Sequence, residues 1–110
     1  FMRVGWAADT AEASSPLKSL LATFDAKKGM GGANRGRYSN PKMDAVLEQA
    51  LATVDDAKRE KLLQQATEIG IGDLGIIPLH HQVNLWGARK GIAYTPRTDE
   101  RTLAHEFRPQ

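Results

Sequence analysis

The residues best suited to chemistry lie near the start of the chain, in Gly5-Trp6-Ala7-Ala8-Asp9-Thr10. A Trp and an Asp three apart, where a short apolar run (Phe1, Met2, Val4) gives out, set a large apolar plate beside a carboxylate. That pair suits a ligand with a positive end and an apolar body. The ring offers apolar contact and cation–π attraction, and the carboxylate offers a charge-assisted hydrogen bond. The plainer alternative is a buried Trp beside a helix-capping Asp.

Other chemistries fit the sequence less well. His80 and His81 are adjacent, so on a strand they point to opposite faces and do not readily share one metal, and His105 has no carboxylate at useful spacing. Ser14-Ser15 has no nearby His or Lys to activate it, and no Gly-x-Ser-x-Gly is present. Four glycines and four cations stand between Lys27 and Ser39, but no Gly-Lys-Ser/Thr follows, so this reads as a solvated loop rather than a phosphate cradle. Its Arg35 and Arg37 are free to meet an acidic partner. Asp55 and Asp56 read as helix-start charges. The sequence is therefore read as that of a non-enzyme with no metal site and no cofactor.

The elements that must position Trp6 and Asp9 follow from periodicity. Phe1 to Trp6 reads as a short strand. Ser14 or Ser15 can cap a helix with Pro16 in its first turn. Leu17, Leu20, Leu21 and Phe24 then fall at i, i+3, i+4 and i+7, one face of an amphipathic helix ending near Asp25 to Gly29. Asn40-Pro41 is an N-cap followed by proline at the first helical position. From there Met43, Val46, Leu47, Ala50, Leu51 and Val54 form an apolar stripe, opposite Asp44, Glu48 and Gln49. Asp55 restarts the pattern after a sharp bend, with Leu62, Leu63, Ala66 and Ile69 inward and an Asp55–Arg59 pair at i, i+4. The two helices make an αα-hairpin. Gly70, Gly72 and Gly75 end the helical signal.

Residues 76–86 read as one long strand. Ile77, Leu79, His81, Val83 and Leu85 fall on one face, and His80, Gln82, Asn84 and Trp86 on the other. Pro78 cannot donate to a ladder, which places it at an edge, a bulge or the strand's start. The second face suits either a wet cleft or plain solvent. Past Lys90 periodicity is lost, and the chain reads as a surface tail wrapping a neighbouring structure.

Composition bounds the class. The chain has 110 residues, 41% hydrophobic and 25% charged, with 15 basic and 13 acidic side chains intermixed for a net charge of +2. This is the profile of a globular segment of one domain's length or less, not of a nucleic-acid binder with its cations gathered on one face. There is no cysteine, which excludes disulfides and thiolate chemistry. No apolar run approaches the ~20 residues that span a bilayer. Phe1 begins inside a strand pattern with no preceding signal peptide, so the chain is expected to be part of something longer.

Taken in order, Gly5-Trp6-x-x-Asp9, then Arg37-Tyr38-Ser39-Asn40-Pro41-Lys42-Met43-Asp44, then Ala50-x-x-Thr53-x-Asp55-x-Ala57-x-Arg59, then Ile77-Pro78-Leu79-His80-His81, resemble the C-terminal part of the extracytoplasmic solute-binding proteins of peptide-type ABC importers (dipeptide, oligopeptide and nickel, family 5). The resemblance runs from about Gly5 to Trp86. It implies an α/β protein of two lobes that close on a ligand, of which these residues are the α+β C-terminal portion. About 1–88 would belong to one lobe, and 89–110 would be a wrapping tail. It also implies that the hairpin packs on a sheet supplied by the rest of the parent chain.

In peptide-binding relatives the aspartate matched by Asp9 holds the ligand's α-ammonium, the positions of Trp6 and Ala7 line the same wall, and a residue matched by Gln82 contributes a contact. An aromatic residue often stands at that last position. Relatives also often read Asp-Tyr-x-Asp/Glu-Pro where this chain reads Asp9-Thr10-Ala11-Glu12-Ala13, which removes an aromatic wall and a rigid turn.

Two functions follow. The first is a periplasmic or extracytoplasmic receptor that captures a short peptide or similar amine-bearing solute and delivers it to a membrane permease, with no nucleic-acid partner. The second is a stand-alone helical module whose apolar faces meet a protein partner or a second copy of itself.

Overall fold

A computed structural model of the chain describes residues 2–8 and 10–110. Two compact units, Phe1–Pro78 and Leu79–Gln110, divide the chain. The first is helical and holds every buried apolar side chain of the described residues.

The αα-hairpin forms as its pattern requires. Helix α2 spans Pro41–Ala52. The Asn40 side chain caps it, accepting from the backbone N–H of Lys42 at 2.8 Å and of Met43 at 3.2 Å. Helix α3 spans Asp56–Gly72, with Asp55 accepting from the Lys58 N–H at 2.8 Å. Met43, Leu47 and Ala50 of α2 pack with Leu63 and Ala66 of α3, all buried. Val46, Leu51, Leu62 and Ile69 are half-buried around them. Burying a side chain such as Leu47 stabilises by about 1.5–3 kcal/mol. Val54, expected on the stripe, lies in the bend at 94% exposure, because α2 has already ended at Ala52.

Helix α3 continues through Gly70 and Gly72 instead of stopping before them. Gly70 abuts Leu21, and a Cβ there would stand 3.1 Å from Leu21 Cδ1, so the close approach is bought with a glycine. The helix ends in a Schellman motif. The Gly75 N–H bonds to the Gly70 carbonyl at 3.0 Å and the Leu74 N–H to the Ile71 carbonyl at 2.9 Å, with Leu74 in the left-handed region at φ 56°.

The first helix is shorter than expected. A single α-turn, α1 (Ser14–Pro16), runs into a π-helical stretch, Leu17–Leu21, closed by the Ala22 N–H on the Leu17 carbonyl. Neither Ser14 nor Ser15 caps it; the N-cap is Ala13, with no side-chain bond. The last carbonyls are taken by the following loop: Gly31 N–H bonds to Lys18, Ala33 N–H to Ser19, and Asn34 Nδ2 to Ala22 at 3.0 Å. The helix therefore turns away at Ala22. Phe24 leaves the apolar face, and the Arg37 guanidinium stacks on its ring at 4.5 Å.

The glycine-rich stretch 27–39 is a surface loop as expected, with Lys27, Lys28, Arg35 and Arg37 exposed, but part of it packs inward. Met30, Gly31 and Asn34 are buried. A Cβ at Gly31 would stand 2.4 Å from the Ala22 carbonyl oxygen, at φ +64°. Asn34 also donates to the Tyr38 carbonyl and accepts from the Tyr38 N–H, closing the loop from inside.

The two expected strands do not form. Residues 2–8 and 77–89 have no regular structure, and the apolar side chains of Ile77, Leu79, Val83 and Leu85 are exposed, Leu85 at 91%. A strand needs a ladder partner, and the described residues supply none for either segment. The Phe1 end of the first segment lies outside the described residues. The second unit instead has a small ladder, β1 (Ile92–Ala93) antiparallel to β2 (Arg108–Pro109), and a 3₁₀ turn at Ala104–Glu106. The whole is mixed helix and small sheet.

Candidate ligand-binding site

Trp6 lies in the extended segment 2–8 with its side chain 44% exposed. It is therefore not the buried Trp of the plainer reading. The indole Nε1–H donates to Ser15 Oγ at 3.1 Å, which fixes one edge of a ring that is a little under half open to solvent. A ring so held keeps an apolar face available for contact at a small entropic cost. Ala7 stands beside it, exposed and small. Asp9, the residue expected to take the ligand's ammonium, lies outside the described residues. Gln82 lies in the second unit, exposed, with its Nε2 donating to Asn84 Oδ1 at 2.7 Å. The described geometry thus brings together Trp6 and Ala7 with Ser15.

Ser15 belongs to a turn that is itself anchored. Arg59 does not pair with Asp55 as its i, i+4 spacing suggested. Its fork reaches Glu12, Nε to Oε2 at 2.9 Å and Nη2 to Oε1 at 2.7 Å, and its Nη1 touches the Ala50 carbonyl at 3.4 Å. Ser14 Oγ donates to the same carboxylate. Both side chains are about a quarter to a third exposed. A bidentate guanidinium beats an i, i+4 pair because two parallel charge-assisted bonds form at once. The Arg59 fork and the Ser14 hydroxyl hold the Glu12 carboxyl well down, at about 2. Glu12 is therefore ionised and already paired within the chain.

Sequence reasoning passed over Ser15, Glu12 and Arg59. Ser15 appeared only as a cap or an inactive nucleophile, and Arg59 only as a partner for Asp55 and a motif position with no role assigned. Glu12 and Arg59 are 47 residues apart, and no local spacing signals such a pair.

A second polar cluster ties the two ends of the hairpin. Asp73, at the C-terminus of α3, accepts from Tyr38 Oη at 2.8 Å and from the Asn40 amide. The Asn40 amide and then the Tyr38 hydroxyl hold the Asp73 carboxyl below its usual range, while burial first and Asp73 second raise the Tyr38 hydroxyl. An open depression of about 630 Å³ lies elsewhere, between α2 and the Asp25–Met30 turn, and does not include Trp6. Among the described residues no group of His, Asp and Glu is placed to hold a metal ion.

No family model matches the chain, and no solved structure matches it. Curated proteins do. A probable D,D-dipeptide-binding periplasmic protein of Escherichia coli is 32% identical over 99 residues, 86% of this chain and 18% of that protein. Heme-binding protein A of Haemophilus influenzae is 30% identical over 79 residues, 72% of this chain and 14% of that protein. A glutathione-binding protein of Pectobacterium atrosepticum is 39% identical over 64 residues, 58% of this chain and 12% of that protein. The chain spans less than a fifth of the length of the curated relatives it matches. Their names differ in ligand and agree in kind, and that agreement places this chain in the peptide-type (family 5) solute-binding proteins of ABC importers.

Proposed function

We propose that the parent protein is the extracytoplasmic substrate-binding component of an ABC importer, which captures a short peptide or similar amine-bearing solute and passes it to a membrane permease. The supporting observation is the Trp6 ring, half-exposed and pinned at its N–H, in a chain whose relatives are named as dipeptide-, heme- and glutathione-binding proteins. In this reading Trp6 and Ala7 form the apolar wall, Asp9 takes the ammonium and Gln82 adds a polar contact. The 110 residues are the C-terminal segment of a two-lobed α/β protein that closes over its solute by hinge motion. Capture and release need no bond chemistry, so none of these residues is assigned a catalytic role.

Native mass spectrometry of the complete parent protein, purified without added ligand, tests this beside its Asp9→Ala variant. The expected result is a small amine-bearing mass on the wild type that is lost in the variant. Retention of the same mass by the variant would remove Asp9 from the site.

A further inference from the structure

A continuous chain of contacts leads from the hairpin to the ring that the proposed function uses. It starts at the Ala50 carbonyl near the end of α2, passes through the Arg59 guanidinium to both Glu12 oxygens, and enters the turn that carries Ser14 and Ser15. Ser15 Oγ then accepts the Trp6 indole N–H at 3.1 Å. The segment 2–8 makes no ladder and has no buried side chain among its described residues, so it has little else to set its course. The hairpin is the opposite: its Met43 and Leu47 are fully buried. A ring on an unsupported segment takes its orientation from whatever fastens that segment to a rigid element.

We propose that Arg59 is a positioning residue: acting through Glu12, it fixes the 12–15 turn and thereby sets the orientation in which Trp6 is offered to solute. The proposal rests on the reading of Trp6 as part of the ligand wall. The geometry favours it over a purely stabilising ion pair. The bidentate fork fixes direction as well as distance, and the turn it fixes holds Trp6 by a single hydrogen bond.

The test uses the complete parent protein labelled with 5-fluorotryptophan, its Trp6 fluorine resonance identified by Trp6→Phe. Arg59→Met and Glu12→Gln are each expected to move the Trp6 resonance toward the solvent-exposed position while the other tryptophan resonances stay in place. Calorimetry with L-alanyl-L-alanine is expected to show affinity weakened roughly tenfold in both, since a small misplacement of a contact group is costly. The double variant should be no worse than either single one, because both break the same link. Arg59→Lys, which keeps the charge but not the fork, should restore the resonance only in part. An unmoved Trp6 resonance in the folded variants would overturn the proposal, as would an equal shift of every tryptophan. If Arg59→Met does not fold, Glu12→Gln alone decides. A wild type that binds no dipeptide would sink the proposed ligand class, while the fluorine signal would still decide the role of Arg59.

Discussion

The units Phe1–Pro78 and Leu79–Gln110 are held together by different physics. Among its described residues the first buries nine apolar side chains, with Met43, Leu47, Ala50 and Ala66 wholly out of solvent. The second buries no side chain at all. Its order comes from directional contacts. Tyr94 stacks on Phe107 at 4.7 Å, and Trp86 lies 6.2 Å from Tyr94 with its N–H on Thr102. Arg97 forks to Asp99 and also reaches Glu106 at 2.8 Å. Aromatic pairs and exposed ion pairs define a shape but contribute little each, about 0.5–1.5 kcal/mol and ~0–1 kcal/mol respectively. Two helices with facing stripes make a core from local sequence; a short segment of mixed character cannot.

The largest test sets one truncation in each unit side by side. Leu47→Ala opens a cavity in the hairpin core and should cost about 2–5 kcal/mol, read as a lower midpoint in urea unfolding of the protein. Phe107→Ala removes one partner of a half-exposed stack and should cost about 0.5–1.5 kcal/mol, with changes confined to the signals of Trp86 and Tyr94. Equal losses from the two would mean that the second unit carries a core of its own, and the contrast would fail.

The same contrast explains what the sequence made legible. The hairpin was readable because its information is local: the Asn40-Pro41 start, the Asp55 restart and the spacing of Met43, Leu47, Leu63 and Ala66 are all found as expected. The strand expected over 76–86 carries a strand's alternation but has no partner among the described residues, and pattern without a ladder leaves Leu79, Val83 and Leu85 in solvent. The loop 27–39 looked solvated because its glycines and cations are polar in composition. What they hide is one buried Asn34 and a Gly31 pressed against Ala22, features of packing rather than of composition. Of the candidate site, Trp6 was legible as an aromatic residue that could be buried or exposed, and its hydrogen bond to Ser15 was not, because no local spacing signals it or the Glu12–Arg59 pair beside it.

Acid should act on both units through carboxylates depressed by folding, Glu12 and Asp73 in the first and Asp99 in the second. Glu12 in the first and Asp99 in the second are both held at about 2, Glu12 mainly by Arg59 with help from Ser14, Asp99 mainly by Arg97. A carboxyl depressed by folding contributes stability that is complete above its unfolded value. Those values are 4.5 for Glu12 and 3.8 for Asp99, and the contribution drains away as pH falls toward 2. Both pairs are partly exposed and screened, so the effect is modest and shrinks with added salt. Amide exchange followed from pH 5 to pH 2 should show the second unit opening first, because the hairpin retains its apolar core when Glu12 is protonated. Loss of α2 and α3 protection ahead of the Tyr94–Phe107 region would reverse the ranking of the two units.

The smallest effect sharpens the comparison from within the better-packed unit. The Schellman motif ending α3 places Leu74 at φ 56°, where a side chain crowds its own carbonyl, and leaves that side chain largely exposed. An L-residue pays about 1–2 kcal/mol in the left-handed region, which glycine does not. Glycine in turn gives the unfolded chain more freedom, which costs about 0.4–1 kcal/mol. Little apolar burial is lost with the exposed Leu74. The terms leave Leu74→Gly more stable by roughly half a kcal/mol, a gain of one or two degrees in melting temperature. The neighbouring Gly75→Ala must go the other way, since a Cβ there would stand 2.9 Å from both Leu21 Cδ2 and the Tyr38 ring. A thermal melt of the pair of variants separates the two causes. If Leu74→Gly destabilises, the exposed leucine is packed against something in the folded protein that outweighs its backbone strain, and the α3 terminus is a contact surface rather than a free end.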